Sequence, residues 1–443
     1  MATTPAQPVL GLWSSTALVV GSTIGVGIFL TPAELIGAVA SPALTFTLWV
    51  GCGLLALAGA FSFGELAARY PQAGGPYVYL REGWGPRVAF LYGWQSLLIM
   101  DPGITAGLAA GLSQYLAILL PAARGRERWI AVGVIWVLAV ANMRGLRLGS
   151  RILNAVTLLK VVALASLAPA AFAIGRGSWS HFVPFVGARA DAPPIGDALA
   201  LGLVSVFFSF GGFWDASRIA AEVRNPRRTL GAALALGVIA VMLLYVMTTA
   251  AFIFLVPPQQ MTSAAAFAQS AGEALLGPAG PPLLAAVVVI SVVSSIMALL
   301  MMAPRLYVAM SREGLFPASL AKLDAMTGSP IRATALMAAL SSAFVLLGTF
   351  QDIIAFFICT SIAFVALAAA SLFVLRARPT DAGGFRAPGH PVTTALFVLL
   401  VAAVVAMVTI SRPRQAIAGA LLVLAGVPVY SMLAPRGALR SRE

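Results

Sequence analysis

Two runs of small residues cut into long apolar segments of this chain, Gly21-Ser22-Thr23-Ile24-Gly25-Val26-Gly27-Ile28-Phe29 and Phe208-Ser209-Phe210-Gly211-Gly212-Phe213-Trp214. A lone lysine, Lys160, sits inside a third apolar segment. None of these residues pairs a nucleophile with a base; what they can do is hold charge. A helix that unwinds in apolar surroundings leaves backbone N–H and C=O groups without partners, which is costly unless something polar takes them up. The half-helix that begins after Gly25 can turn the amides of Val26 and Gly27 toward an anion, and the one that ends near Thr23 can turn carbonyls toward a cation. The second run repeats the arrangement with carbonyls near Phe208 to Phe210. An α-amino acid zwitterion carries both charges on one carbon and matches both ends at once. The helix dipole contributes about 0.3–1 kcal/mol when exposed and up to about 2 kcal/mol when partly buried. Satisfying the orphaned backbone groups therefore carries more of the binding.

Taken singly, either glycine-rich run is explained by close helix packing. The two runs lie roughly half a chain apart in corresponding positions, and paired interruptions of this kind point to the substrate site of a secondary transporter. Lys160, in Leu158-Leu159-Lys160-Val161-Val162, stands nine residues beyond Arg151, deeper than a side chain reaching back to the membrane surface favours. A charged side chain at the bilayer centre costs at least about 2.5–3.5 kcal/mol. Lys160 is expected either to occupy the place of a bound cation beside the first break or to make a structural bond to helix-terminal carbonyls. Phe208, at the lip of the second break, either covers a bound ligand or packs. Glu65 and Glu222 lie near span ends, close to Arg69 and to Arg224, Arg227 and Arg228, and read as helix-end ion pairs. Asp101 precedes Pro102-Gly103 and reads as the cap of a local distortion, or else as the counter-ion of a cationic ligand. Asp215 and Arg218 are three apart on one helix and can neutralise each other.

The elements that must position these residues are membrane spans. With 60% hydrophobic and only 10% charged residues and a mean hydropathy of +0.95, the composition excludes an ordinary soluble domain. Apolar runs long enough for a hydrocarbon core of about 30 Å recur throughout. About twelve spans are predicted, at roughly 10–39, 42–68, 84–119, 129–147, 151–175, 197–221, 229–256, 281–311, 332–349, 351–375, 391–411 and 415–434. The expected fold class is an all-α membrane protein. The net charge of +13 is a topology signal: with both termini cytoplasmic, 20 of the 28 Lys and Arg fall on the inside and seven outside, with Lys160 within a span. Nucleic acid is therefore not an expected partner. The predicted loops are short and leave no soluble domain. No G-x-x-x-x-G-K-[ST] phosphate loop occurs. Cys52 and Cys359 lie within predicted spans as small apolar packing residues, and His181 and His390 have no second ligand at metal spacing. Neither a cofactor, a metal nor enzyme chemistry is expected.

Four stretches, in order, carry a resemblance to a known family: Gly21 to Phe29; Gly64-Glu65-Leu66 through Pro71-Gln72-Ala73-Gly74-Gly75-Pro76-Tyr77; Phe208 to Phe213 with Ala221-Glu222-Val223-Arg224-Asn225-Pro226-Arg227-Arg228; and Pro304-Arg305-Leu306-Tyr307 to Arg312-Glu313-Gly314-Leu315-Phe316-Pro317. Phe385-Arg386-Ala387-Pro388-Gly389 also fits. The chain resembles an amino acid permease of the amino acid–polyamine–organocation superfamily, nearest the L-type and cationic amino acid transporter branches. That resemblance implies a single transporter domain over 1–443 with a LeuT-type five-plus-five inverted repeat. Its halves would be 1–175 and 197–377, the first and sixth helices discontinuous, and 391–435 two accessory helices. It assigns the substrate carboxylate to the Val26 and Gly27 amides and the amino group to carbonyls around Thr23, Phe208 and Gly211. It makes Phe208 an aromatic gate and matches Lys160 to a lysine of sodium-independent members. Two departures stand out: Val26 replaces the Ser or Thr of many relatives, and Trp214-Asp215 is unusual after the second break. Animal L-type members bond a single-span partner through a cysteine between the third and fourth spans. Here Leu120-Pro121-Ala122-Ala123-Arg124-Gly125-Arg126-Glu127-Arg128 holds none, so no such disulfide-linked partner is expected.

The function expected is sodium-independent secondary transport of L-amino acids, neutral ones first, by exchange or proton-linked uptake in a cell membrane of the bacterial inner-membrane kind. A carrier of cationic amino acids or polyamines, with Asp101 or Asp215 meeting the extra ammonium, is the alternative within the class. A membrane amino acid sensor that binds without transporting is the alternative outside it.

Overall fold

The computed structural model describes residues 10–25, 27–39, 41–72, 74–174, 176–186, 195–257, 264–347, 350–378, 383–411 and 413–433. Proline sets many of the helix starts. Pro42, Pro76, Pro86, Pro226 and Pro413 stand at or next to the first helical position, where the missing N–H costs nothing. The helices are α1 Leu12–Thr23, α2 Gly27–Val39, α3 Pro42–Arg69, α4 Pro76–Trp84, α5 Pro86–Gln95, α6 Asp101–Leu119, α7 Glu127–Met143 and α8 Leu146–Ile174. They continue with α9 Ile195–Phe210, α10 Pro226–Leu255, α11 Ala264–Leu276, α12 Gly280–Arg312, α13 Ile331–Leu347, α14 Phe350–Arg376, α15 Val392–Ser411 and α16 Pro413–Leu433. Among the described residues, seven helices are long and apolar enough to cross a bilayer, and two shorter apolar helices accompany them. This is a multi-pass, all-helical membrane protein.

Two stretches differ from the sequence reading. The segment expected over 84–119 is α5 and α6 joined by a π-helical turn, Ser96–Met100, and α4 precedes it as a separate short helix. The stretch between 256 and 281, read as a loop, holds α11. Val26, Arg189, Arg412, Arg436, Arg440 and Arg442 lie outside the described residues, as do the side chains of Arg147 and Cys359. Cys52 is buried and free.

The interrupted pair α1–α2 packs on α9 and on the residues after it. Helix α2 packs on α9, and α1 packs on α8, α10 and α12. Lipid tails offer no hydrophobic gain for such contacts, so close packing and hydrogen bonds between helices hold them. At one end, Leu10 pairs with the strand-like Val223: its N–H donates to the Glu222 carbonyl at 3.0 Å and its carbonyl accepts from Arg224 N–H at 2.8 Å.

Candidate functional site

Helix α1 ends where Ile24 leaves helical geometry (φ −74°, ψ 90°), and α2 begins at Gly27. The Thr23 hydroxyl bonds back to the Val19 carbonyl at 2.8 Å. The carbonyls freed by the break find a cation. The Lys160 ammonium on α8 donates to the carbonyls of Gly21 at 3.0 Å, Ile24 at 2.6 Å and Ser291 at 3.4 Å, and lies 3.5 Å from the Ser295 hydroxyl. Ser295 itself donates to Ile24 at 2.8 Å. Lys160 is wholly buried, and these four partners are neutral oxygens. An oxygen-only shell is what a hard metal cation also takes.

The second break is a two-residue turn, Gly211-Gly212, followed by a 3-10 helical segment, Phe213–Glu222, with a non-helical Ile219 inside it. Gly212 has φ +101°, a conformation closed to most side chains, and a Cβ there would meet the Ser22 carbonyl oxygen at 2.9 Å. The Ser22 hydroxyl donates to the Gly212 carbonyl at 3.2 Å, so the two breaks bond each other directly. Gly27 lies against Ser209: an added Cβ would stand 2.8 Å from its Oγ and 3.2 Å from its Cα. The close approach that Gly27 permits is thus to the other broken helix. The Tyr245 hydroxyl on α10 reaches both breaks, its one hydrogen shared between the carbonyls of Ser209 at 2.9 Å and Thr23 at 3.2 Å. Its ring is held edge-on by Trp49 at 5.0 Å and packs at a tilt on Phe210 at 5.4 Å. The Thr23 carbonyl, expected to face an ammonium, already accepts from Tyr245 and from Gly25 N–H at 2.9 Å.

A cavity opens where the breaks meet. Ser22, Thr23, Gly25, Gly27, Phe208, Gly211 and Gly212 line it from the breaks, and Ile104, Leu108, Leu299 and Ile362 give an apolar wall. Four of the residues singled out in the sequence, Thr23, Gly27, Phe208 and Gly211, therefore meet at one cavity, and Phe208 is half-buried at its edge. Lys160 does not line it.

The amino acid permease family model matches residues 10–433, nearly the whole chain. The chain belongs to that family. Among curated relatives, the rabbit (Oryctolagus cuniculus) b(0,+)-type amino acid transporter 1 is 31% identical over 253 residues, 55% of this chain and 51% of its own length. The chain spans about half the length of such b(0,+)-type relatives. The human cystine/glutamate transporter is 27% identical over 95% of this chain and 84% of its own. The branched-chain amino acid permease BcaP of Bacillus subtilis is 29% identical over 88% and 86%.

Beside the permease cavity lies a buried charged cluster. Asp101 follows the π-helical turn, where the sequence placed a distortion. Its carboxylate accepts from the Arg218 guanidinium at 2.9 Å and the Tyr307 hydroxyl at 2.8 Å. Arg218 also donates to the Tyr92 hydroxyl at 2.9 Å. Asp215, which lines the cavity, has Oδ1 3.0 Å from Arg218 Nε but off the N–H direction, and neither oxygen has a hydrogen-bond donor among the described residues. Asp215 and Arg218 are close, as their spacing implies, yet the guanidinium's hydrogen bonds go to Asp101 and Tyr92. The helix-end carboxylates are paired: Glu65 accepts from Arg69 at 3.1 Å, Arg376 at 2.9 Å and Ala387 N–H at 2.8 Å. Glu222 pairs with Arg305 at 2.7 Å, across from α12, where the sequence pointed to the arginines just downstream.

Sequence reasoning missed Tyr245, Ser291 and Ser295. Their signals were present: a lone phenol in Leu243-Leu244-Tyr245-Val246-Met247, and Ser291, Ser294 and Ser295 at helical spacing within an apolar run. Hydroxyls so placed need acceptors, and broken helices supply them.

Proposed function

We propose that this permease is a sodium-independent secondary transporter of L-amino acids, neutral ones first, working by exchange or proton-linked uptake through alternating access. In this reading the chain crosses a cell membrane twelve times with both termini cytoplasmic, and α1–α2 and α9 with its 3-10 continuation are the discontinuous helices of a five-plus-five inverted repeat. One observation carries the proposal: two interrupted helices meet at a cavity lined by residues of both breaks and by Ile104, Leu108, Leu299 and Ile362, with Asp215 among the lining. Backbone ends suit the charges common to all amino acids, and Ile104, Leu108, Leu299 and Ile362 suit an uncharged side chain. The Val26 and Gly27 amides take the carboxylate, carbonyls around Thr23, Phe208 and Gly211 take the ammonium, and Lys160 substitutes for a cation. The two long alignments to amino acid transporters support the same class.

The recognised handle is the zwitterion. In proteoliposome counterflow, unlabelled neutral L-amino acids are expected to compete, while their methyl esters and N-acetyl derivatives are not. Each derivative forfeits a charge-assisted contact of about 1.5–3 kcal/mol, roughly tenfold or more in affinity. Competition by the esters equal to that of the free acids refutes the site. Substrate binding without counterflow would favour a sensor, and polyamines competing better than neutral amino acids would favour the cationic carrier.

Phe208 closes over the substrate. The Phe208→Ala protein is expected to lose maximal rate more than apparent affinity, because the backbone contacts at the breaks persist, and Phe208→Trp is expected to keep part of the rate. Initial-rate measurements over a range of substrate concentrations check this. Rates unchanged in Phe208→Ala would mean that the ring only packs.

A further inference from the structure

We infer that Asp215 is the proton-carrying group of this transporter, loading a proton together with the substrate; this rests on the transport reading above. The cluster beside the cavity holds two carboxylates, Asp101 and Asp215, and one guanidinium, Arg218, all wholly or almost wholly buried. The guanidinium stays charged, so with both carboxylates ionised the cluster carries one surplus negative charge. That surplus sits on Asp215. Asp101 has its two oxygens taken by Arg218 and Tyr307, whereas Asp215, with Oδ1 3.0 Å from Arg218 Nε, has both oxygens buried and no hydrogen-bond donor among the described residues. A carboxylate in that position is costly and is relieved by a cation.

The geometry selects a proton over a cationic side chain. The Asp215 oxygens have almost no accessible surface, so neither water nor an ammonium touches them until the wall shifts, and the single water that delivers a proton needs a smaller opening than an ammonium or guanidinium side chain does. A proton needs one oxygen and one passing water. When the wall shifts to admit water, hydronium gives its proton to an Asp215 oxygen, forming an O–H bond and leaving water; on the opposite side that bond breaks and the proton returns to water. Loading leaves Arg218 balanced by Asp101 alone, and the cluster becomes neutral.

The charged and titratable groups facing Asp215 are Arg218 on its own segment, Asp101 from α6, Tyr92 from α5 and, next to Asp101, Tyr307 from α12. Other helices packed on the 3-10 segment bring groups already engaged. These are Glu65 of α3 with Arg69 and Arg376, Tyr77 and Arg81 of α4 with Glu313, Arg305 of α12 with Glu222, and Tyr245 of α10 with the two breaks. Tyr79 of α4 is a buried phenol, α10 carries Arg227 and Arg228 at its start, and α1 brings no titratable side chain. The cluster ties the second broken helix to α5, α6 and α12. The charge on Asp215 therefore acts on the tie between the second broken helix and α5, α6 and α12.

The test uses the full chain in proteoliposomes with a pH-sensitive dye inside, and as probe whichever of labelled L-leucine, L-serine and L-threonine shows counterflow. In the wild type, adding that amino acid outside is expected to acidify the lumen. Uptake should follow the protonated fraction, rising by up to about tenfold for each unit of external acidification. Asp215→Asn is expected to abolish both responses, with a substrate-induced thermal shift reporting that the variant is folded, and Asp215→Glu to retain acidification. Wild-type counterflow with no lumen acidification, or an Asp215→Asn protein that keeps the wild-type pH response, overturns the inference while leaving the transport reading intact. L-lysine competing in the wild type but not in Asp215→Asn, again without acidification, assigns the carboxylate to a cationic side chain and also overturns it. No wild-type counterflow with any of the three overturns the transport reading itself.

Discussion

Replacing Lys160 by methionine is expected to reduce amino acid uptake by about a hundredfold or more while the protein still reaches the membrane. Methionine fills much of the same volume, so the loss isolates the charge. It strips the carbonyls of Gly21, Ile24 and Ser291 of their shared charged donor and leaves the three to the single hydroxyl of Ser295, whose one hydrogen cannot serve them all. A buried polar group left unsatisfied costs about 1–3 kcal/mol, and about 2.8 kcal/mol is already a factor of a hundred. The end of α1 would lose its anchor to α8 and α12. Uptake should be read beside membrane abundance, in buffers with and without sodium. Wild-type transport is expected to be the same in both, and Lys160→Ala, which opens an oxygen-lined space, is expected to recover activity with sodium if Lys160 stands in for a cation. A tenfold stimulation of the wild type by sodium, or full activity in Lys160→Met, would sink the assignment.

The Gly212→Ala protein is expected to lose substrate binding almost completely, against a much smaller effect of Gly51→Ala on an open face of α3. At Gly212 two penalties coincide: a backbone of φ +101°, and a methyl carbon forced to 2.9 Å from the Ser22 carbonyl oxygen. That neighbour is backbone, so it cannot swing aside. The first penalty alone is on the order of 1–3 kcal/mol. Relief requires the two breaks to part, which separates Ser22 from the Gly212 carbonyl and opens the cavity rim. At Gly51 an added Cβ meets nothing within 4 Å. Thermal-shift titration of both variants with a transported amino acid checks the ordering, and wild-type binding by Gly212→Ala would refute it.

What could be read from the residues, and what could not, divides along locality. The breaks were legible because a glycine run inside an apolar segment either unwinds the helix or lets it pack closely, and the paired placement favours unwinding. The cavity forms where those two breaks meet. Lys160 was legible as a buried cation, but its acceptors come from α1 and α12, 131 to 139 residues away in sequence, so the cage itself could not be read. The Asp215–Arg218 pairing was half legible. The i, i+3 rule supplied a local partner, while the guanidinium sent its hydrogen bonds to Asp101 and Tyr92, 117 and 126 residues away. The 3-10 geometry after Gly212 was hidden for the same reason. Ala216, Arg218, Ala220 and Ala221 are good α-helix formers, and the tertiary hold on Arg218 overrides them.

The Tyr245 hydroxyl has a kinetic consequence. By sharing its hydrogen between the Thr23 and Ser209 carbonyls, it engages acceptors that the site proposed above would offer to an amino group. Each arrival is then a trade of one donor for another, and only the difference between a charge-assisted bond and a neutral one remains as affinity, about 1 kcal/mol per contact. A carrier must let go as readily as it takes hold. A resident phenol that reclaims its acceptors whenever the guest leaves makes departure nearly as easy as entry, which favours throughput over tight retention.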